Sequence, residues 1–434
     1  MDSIKQTDLP EQLLAGAKAA GAEAAEVYQA TTLSKPAIFE ANRLKQLETS
    51  ESEGVALRLW RGGKPGLAVA YGPVEPGLLI EKALSLSDLN DAETPELTPG
   101  KPHRFSELGQ AVAVEQLVAW GREAIDQMHQ AYPEVICQAE LDCETEITRL
   151  VNSEGLDYAY QDTTLSSYFS VDWIRGDDFL NVGDGEIARD RLNPKATIEE
   201  ILQRLRWADQ TVEAPNGRLP VVFTNKAADL LWGTVQSALN GKRVVEQSSP
   251  WSDLLGQGVV SPAVTFFQDP TQGPYSCPFD DEGQLTQKLM LIDGGELAGF
   301  YCDRKIGHHL GQASTGNGFR PGLGGYPVPS LLNVLIKPGE LSFTQMIGAL
   351  NNAIVVDQVL GGGAGISGEL SVNLELGYRV VNGEIIGRVK DTMVAGNVYT
   401  ALKQVMELAQ DRVWCGSCFT PSIAVEGLSV TGRA

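Results

Sequence analysis

Three dipeptides that require positive φ constrain this chain more than any other feature. Gly62-Gly63, Gly294-Gly295 and Asn382-Gly383 each separate two strand-like runs, and pairs of this kind suit the tight turns of β-hairpins. The flanking runs are EGVALRLWRGGKPGLAVAYG, LTQKLMLIDGGELAGFYCDR and LGYRVVNGEIIGRVKD. Local pairing is thereby dictated once near the start and twice in the second half. With 434 residues the chain is also too long for one ordinary core.

The pattern predicts an α+β protein in three parts. Residues 1–88 form an N-terminal α/β domain: an Ala-rich helix over 13–26, a strand in AEVYQATT, the first hairpin, and a helix in EPGLLIEKALSLSDL. Residues 89–107 are rich in Pro, acid and small polar residues and have no apolar period, which predicts a linker. Residues 108–216 form a central α+β domain, with the helix VAVEQLVAWGREAIDQMHQAY, strands turning at Asn152-Ser153-Glu154-Gly155, and the helix TIEEILQRLRWADQ. Residues 217–434 read as a β-rich C-terminal domain ending in a strand pair within SIAVEGLSVTG.

Within that last part the spacing predicts a helix over 224–242, entered directly from a strand-like run at 219–223. Thr224 or Asn225 would cap it, and Gly241 would end it in a left-handed turn. A helix placed there is a natural mount for catalytic groups, yet it offers no His, Asp or Glu after Asp229.

Charge and composition exclude several classes. The net charge of −22 and pI near 4.6 oppose the phosphate neutralisation on which nucleic-acid binding rests. The opening MDSIKQTDLPEQ lacks an apolar leader core, and no window reaches a membrane span's length of apolar residues. These features predict a cytoplasmic protein, with Cys137, Cys143, Cys277, Cys302, Cys415 and Cys418 reduced.

Four constellations could carry chemistry. Cys415-Gly416-Ser417-Cys418 supplies only two of a zinc site's four ligands, and an extended run comes after it where a redox pair would want a helix. His308-His309 are adjacent, whereas a metal site on one helix face needs spacings of three, four or five. In PFDDEG, residues 278–283, three consecutive carboxylates cannot all face one site. STGNGFRPGLGG and LGGGAGISGE lack nucleotide-loop spacing but would allow close approach of another backbone.

Taken in order, PFDDEGQLTQKLMLIDGGELAGFYCDRK, STGNGFR, SGELSVNLELGYRVVNGEIIGRVKDTMVAGN and GSCFTPSIAVEGLSVTG resemble the TldD/PmbA family, also labelled peptidase U62 or modulator of DNA gyrase. GAEAAEVY and NRLKQLETSESEGVALRLW resemble its first domain. The resemblance implies a heterodimeric protease for unfolded peptides, in which TldD-type subunits carry an HExxxH zinc motif and PmbA/TldE-type companions lack it. Matching Leu239-Asn240-Gly241 to the family's LEG places Trp232, Gly233 and Ser237 where active subunits have His, Glu and His. GSCFTPSI likewise resembles the companion type rather than the subunits whose C-terminal cysteine joins the metal site.

The resemblance therefore implies a non-catalytic subunit with no cofactor of its own and zinc in an HExxxH-bearing TldD-like partner, or a homodimer when isolated. Thr315, Asn317 and Arg320 of the retained STGNGFR segment would contact the peptide. Two other readings stay open: an independent hydrolase built on His308, Cys415 and Asp280 or Asp281, and a regulatory protein acting on a topoisomerase or toxin system.

Overall fold

The computed structural model describes residues 9–432; most of the opening stretch expected to lack a leader core, residues 1–8, lies outside them. The first helix, Leu9–Ala19, ends sooner than the alanines suggest. Gly21 takes φ +89°, its N–H bonds to the Lys18 carbonyl and that of Ala22 to the Ala17 carbonyl, a left-handed stop that no run of alanines overrides. Residues 24–26, expected at the helix end, therefore open the strand Ala24–Ser34.

All three predicted turns close hairpins. Gly62 and Gly63, Gly294 and Gly295, and Asn382 and Gly383 each have positive φ between paired antiparallel strands. The expected final strand pair does not form. Ile423–Val425 is held between Val221–Phe223 and Val405–Leu408, whereas Ser429–Gly432 joins Thr392–Asn397. Each strand finds longer or more buried partners than the other could offer, so the connection crosses the sheet instead of turning back.

One nine-stranded sheet runs through residues 24–188. Its axis is the long strand Ile136–Asn152, which pairs with Ala24–Ser34 and Ala37–Glu40 on one side and with Asp157–Arg175 on the other. Pro102–Arg104, within the stretch expected to be a linker, adds a short parallel strand. Because side chains alternate along a strand, Cys137, Ala139, Leu141, Cys143 and Val151 share one face and are buried in the cores covered by four helices. Those helices are Leu9–Ala19, Pro76–Ser87, Val114–Ala131 and Pro194–Trp207. Glu144, Glu146, Thr148 and Leu150 occupy the opposite face, where Leu150 joins Leu156 and Phe279 in a small cluster.

The remainder builds a second nine-stranded sheet and a six-stranded one. On one face of the larger sheet, Val221 and Phe223 share the main core with the helix Asp229–Leu239 and with Phe266 and Ile336 of the smaller sheet. On the other, Val222 and Val355 pack with the helices Pro194–Trp207 and Phe343–Gly348. The fold is thus α+β, with the two large sheets joined through a shared helical layer. No helix among the described residues is long and apolar enough to cross a membrane.

Candidate functional site

The helix predicted over 224–242 forms in two pieces, Asp229–Leu239 and Gly241–Val245. Neither Thr224 nor Asn225 caps it with a side chain; the Thr224 carbonyl instead takes the N–H groups of Ala227 and Ala228. Gly241 is not left-handed either. The break comes one residue earlier, where extended Asn240 bridges to Tyr301 and its side chain accepts from the Lys242 N–H. Gly241 is needed for space, since a Cβ there would lie 2.8 Å from the Tyr301 carbonyl oxygen.

The three positions expected to match the family's zinc motif have distinct surroundings. Trp232 is fully buried, its indole N–H donating to Thr420 Oγ1 at 2.6 Å and its ring 6.1 Å from that of Phe266. Gly233 is exposed, and a Cβ added to it would meet nothing within 4 Å. Ser237 is half-buried. These residues do not fit a zinc ion: an indole is no ligand, glycine is no base, and the group facing Trp232 from the C-terminal strand is a threonine hydroxyl. Among the described residues no three His, Cys, Asp or Glu side chains gather as a metal site would require.

The CxxC sequence is the turn of a hairpin, with Gly416 at φ +55° and Cys415 directly opposite Cys418. Cys415 Sγ contacts the Lys226 carbonyl, and burial pushes its thiol up to about 11; burial also holds Cys418 well above the ordinary range. No helix N-terminus activates either. Iodoacetamide at about pH 7.5 is expected to alkylate Cys415 in the folded protein about two orders of magnitude more slowly than a free thiol; mass spectrometry of timed aliquots measures it.

The retained STGNGFR segment is braced from within. Thr315 accepts the Cys302 N–H at 2.8 Å, and its hydroxyl lies 2.8 Å from Asn317 Oδ1. Asn317, fully buried, donates to Gln268 Oε1 and the Ser330 carbonyl, both at 2.7 Å. The close approaches that Gly316 and Gly318 permit are to the protein itself, since added Cβ atoms would lie 2.5 Å from the Leu285 carbonyl oxygen and 2.7 Å from Glu282 Oε2.

The acidic turn completes the brace. Asp280 accepts the Gly318 N–H, Asp281 that of Arg320 and Glu282 that of Arg304, at 2.8, 2.7 and 2.8 Å. Burial and then Glu282 push the Asp280 carboxyl up to about 8 against the backbone donors that favour its charged form. Burial pushes Asp281 up to about 6, with the Arg320 N–H and charge opposing.

Arg320 leaves this segment and crosses to the N-terminal sheet. Its guanidinium donates to Glu26 Oε1 at 2.8 Å and to the Gly325 carbonyl at 3.0 Å, and the same Glu26 oxygen pairs with Arg58 at 2.9 Å. Arg320 also borders a cavity of about 310 Å³ between the sheet's polar face and the C-terminal part, together with Tyr28, Glu146, Asp162 and Asp281. Thr315 and Asn317 thus share one buried network, and Arg320 stands apart as a bridge between parts.

A second bridge has no motif to announce it. Arg204 donates to Asp184 at 2.8 Å and lies 3.3 Å from Asp357, while Lys226 pairs with Asp184 at 2.5 Å. The available signal is a charge inside an apolar strand: Asp357 in NAIVVDQVL, and likewise Glu26 and Arg58.

The groups proposed for an independent hydrolase do not converge. His308 pairs with Glu96, Cys415 meets the Lys226 carbonyl, and Asp280 and Asp281 hold backbone N–H groups.

Residues 216–432 match the model of the PmbA/TldA metallopeptidase C-terminal domain, and residues 25–86 that of PmbA/TldA metallopeptidase domain 1. A metalloprotease of Methanothermobacter thermautotrophicus is 24% identical over 415 residues, covering 91% of this chain and 90% of that one. Metalloprotease PmbA of Escherichia coli O157:H7 is 29% identical over 218 residues, 48% of this chain and 46% of that one. In fold, the chain is similar to the crystal structure of TldE from Thermococcus kodakarensis, with a TM-score of 0.89 at 23% identity, over 98% of this chain and 100% of that one.

Proposed function

The chain belongs to the PmbA/TldD metallopeptidase family, and from that premise we propose that it is the non-catalytic, PmbA/TldE-type subunit of a zinc metalloprotease acting on unfolded peptides. Its partner is a TldD-like subunit carrying the HExxxH motif and the zinc, and in isolation the chain pairs with itself. The observation that most supports this is Trp232, fully buried and bonded to Thr420 where an active subunit has its first zinc histidine. Metal-assisted hydrolysis needs imidazole ligands and a carboxylate base, and this helix provides neither. Six unpaired cysteines favour a reducing, cytoplasmic setting, and the charge of −22 disfavours nucleic acid as a ligand.

Thr315, Asn317 and Arg320 serve this function as a scaffold for the surface presented to peptide. Their burial and internal hydrogen bonds support that role over direct contact.

The test is reconstitution with the HExxxH-bearing relative from the same genome. The two chains are expected to co-elute in size-exclusion chromatography, with zinc in the partner and chelator-sensitive peptidase activity in the mixture. Chelator-resistant peptidase activity from this chain alone would overturn the assignment, and so would failure to co-elute at micromolar concentration.

A further inference from the structure

A larger cavity, of about 620 Å³, lies between the helix Pro194–Trp207, the helix Phe343–Gly348 and the larger C-terminal sheet, away from the zinc-motif helix and the STGNGFR segment. That volume suits a small organic ligand. Among the residues lining it is Asp357, 3% exposed on the strand Asn352–Leu360, and neither of its carboxylate oxygens accepts a hydrogen bond. Arg204 Nε is 3.3 Å from Oδ2 but is not aligned to donate; its guanidinium donates instead to Asp184 and the Gly183 carbonyl, at 2.8 and 2.9 Å.

A second acceptor sits beside the first. Thr224 comes directly after Val221–Phe223 and bonds through its N–H to the Val356 carbonyl, which sets it next to Asp357 across the parallel pair. Its hydroxyl is buried and also lacks a partner. Buried polar groups are nearly always satisfied, and leaving a charged one without a donor is costly. Burial raises the Asp357 carboxyl above the usual carboxylate range, and Arg204 and then Lys226 offset this only in part without donating to either oxygen, so a positive group that also donates is what the floor lacks.

The rest of the lining agrees on the sign of the missing group. Glu200, Glu384 and Asp411 add further carboxylates, against the one committed guanidinium of Arg204. One wall is aromatic: the rings of Trp207 and Phe343 are 5.8 Å apart at 34°, a surface that attracts both apolar groups and cations. An anion would meet repulsion on the acidic side, and a purely apolar ligand would leave the two acceptors unpaired.

We infer that this cavity binds a primary ammonium carried next to an aromatic or apolar group. The ammonium donates to Asp357 and the Thr224 hydroxyl, and the apolar part lies against Trp207 and Phe343. Either a free aromatic amine or the N-terminus of a peptide presents this chemistry. All of the lining comes from this one chain.

The test uses the full chain alone and isothermal titration calorimetry. Tryptamine and the dipeptide phenylalanyl-leucine amide represent the two sources, and the N-acetyl derivative of each is the control. At least one free amine is expected to bind in a one-to-one ratio, with acetylation weakening it about tenfold or more, as loss of a charge-assisted hydrogen bond predicts. The amine that binds more tightly identifies the source.

Asp357→Asn is expected to weaken binding to a similar degree. Because Asp357 also faces Arg204, Thr344→Trp serves as a second variant: Thr344 is an exposed residue of the cavity's lining, so the indole fills the mouth while leaving the charged floor intact. It is expected to abolish binding with the unfolding temperature unchanged. Equal binding of the acetylated forms would overturn the inference. Absence of binding by either amine at millimolar concentration, or undiminished binding to Thr344→Trp, would do the same.

Discussion

Arg320→Ala is expected to lower both the unfolding temperature of this chain and the peptidase activity of the reconstituted pair. The side chains of Arg320 and Glu26 are each only 3% exposed, and they tie the C-terminal segment to the first strand of the N-terminal sheet. Truncating one member of a buried ion pair strands the other, at a cost of about 3–5 kcal/mol. Glu26 keeps Arg58 at 2.9 Å, which places the loss toward the lower end of that range. Arg320→Lys keeps the charge but loses the fork that also reaches the Gly325 carbonyl, and should fall between wild type and alanine. Thermal unfolding measured beside peptidase assays separates scaffold from contact. Activity lost at an unchanged unfolding temperature would mean that Arg320 touches the peptide.

Arg204→Met is expected to have a comparable or larger effect on stability. It leaves Asp184 with Lys226 at 2.5 Å but Asp357 with only the weaker influence of that same Lys226, and the same range of about 3–5 kcal/mol applies. The sign of the pH dependence comes from linkage. A carboxyl whose folded pKa is raised binds more protons folded than unfolded, so its contribution is most favourable at low pH and is lost as pH rises through the folded value. Burial already raises Asp357, and removing Arg204 removes the larger of the two cations that lower it, leaving Lys226. The variant's deficit in urea midpoint should therefore be smaller at about pH 5 than at about pH 8. Adding Asp357→Asn to Arg204→Met should recover part of the loss, because the stranded charge is gone. A deficit that does not change with pH would show that packing, not charge, dominates at this position.

Legibility in the sequence divides along range. The hairpins at Gly62-Gly63, Gly294-Gly295 and Asn382-Gly383 were legible because a positive φ is a local demand met by few residues. The end of the first helix was also written locally, in Gly21, but the surrounding alanines masked it. The pairing of Ile423–Val425 and Ser429–Gly432 with other strands was not legible, since it depends on partners far along the chain. The same holds for the candidate site. That Trp232, Gly233 and Ser237 offer neither imidazole nor carboxylate could be read from three residues, whereas Arg320 and Glu26 meet across 294 positions of sequence. Glu26, Arg58 and Asp357 announced only that something buried needed a charge; they did not say which.

The contrast between Trp232 and Gly233 bears on whether this helix could be given zinc ligands by substitution. At Gly233 a side chain has open space, so a glutamate could be introduced without disturbing any neighbour. At Trp232 the indole fills core volume against Phe266 and Thr420, and a histidine in its place would leave a void and a buried imidazole with no metal to satisfy it. Introducing a ligand at this position requires the surrounding core to be rebuilt in concert. A carboxylate at position 233 is open to substitution and an imidazole at position 232 is not, so no single substitution in this helix assembles a metal site.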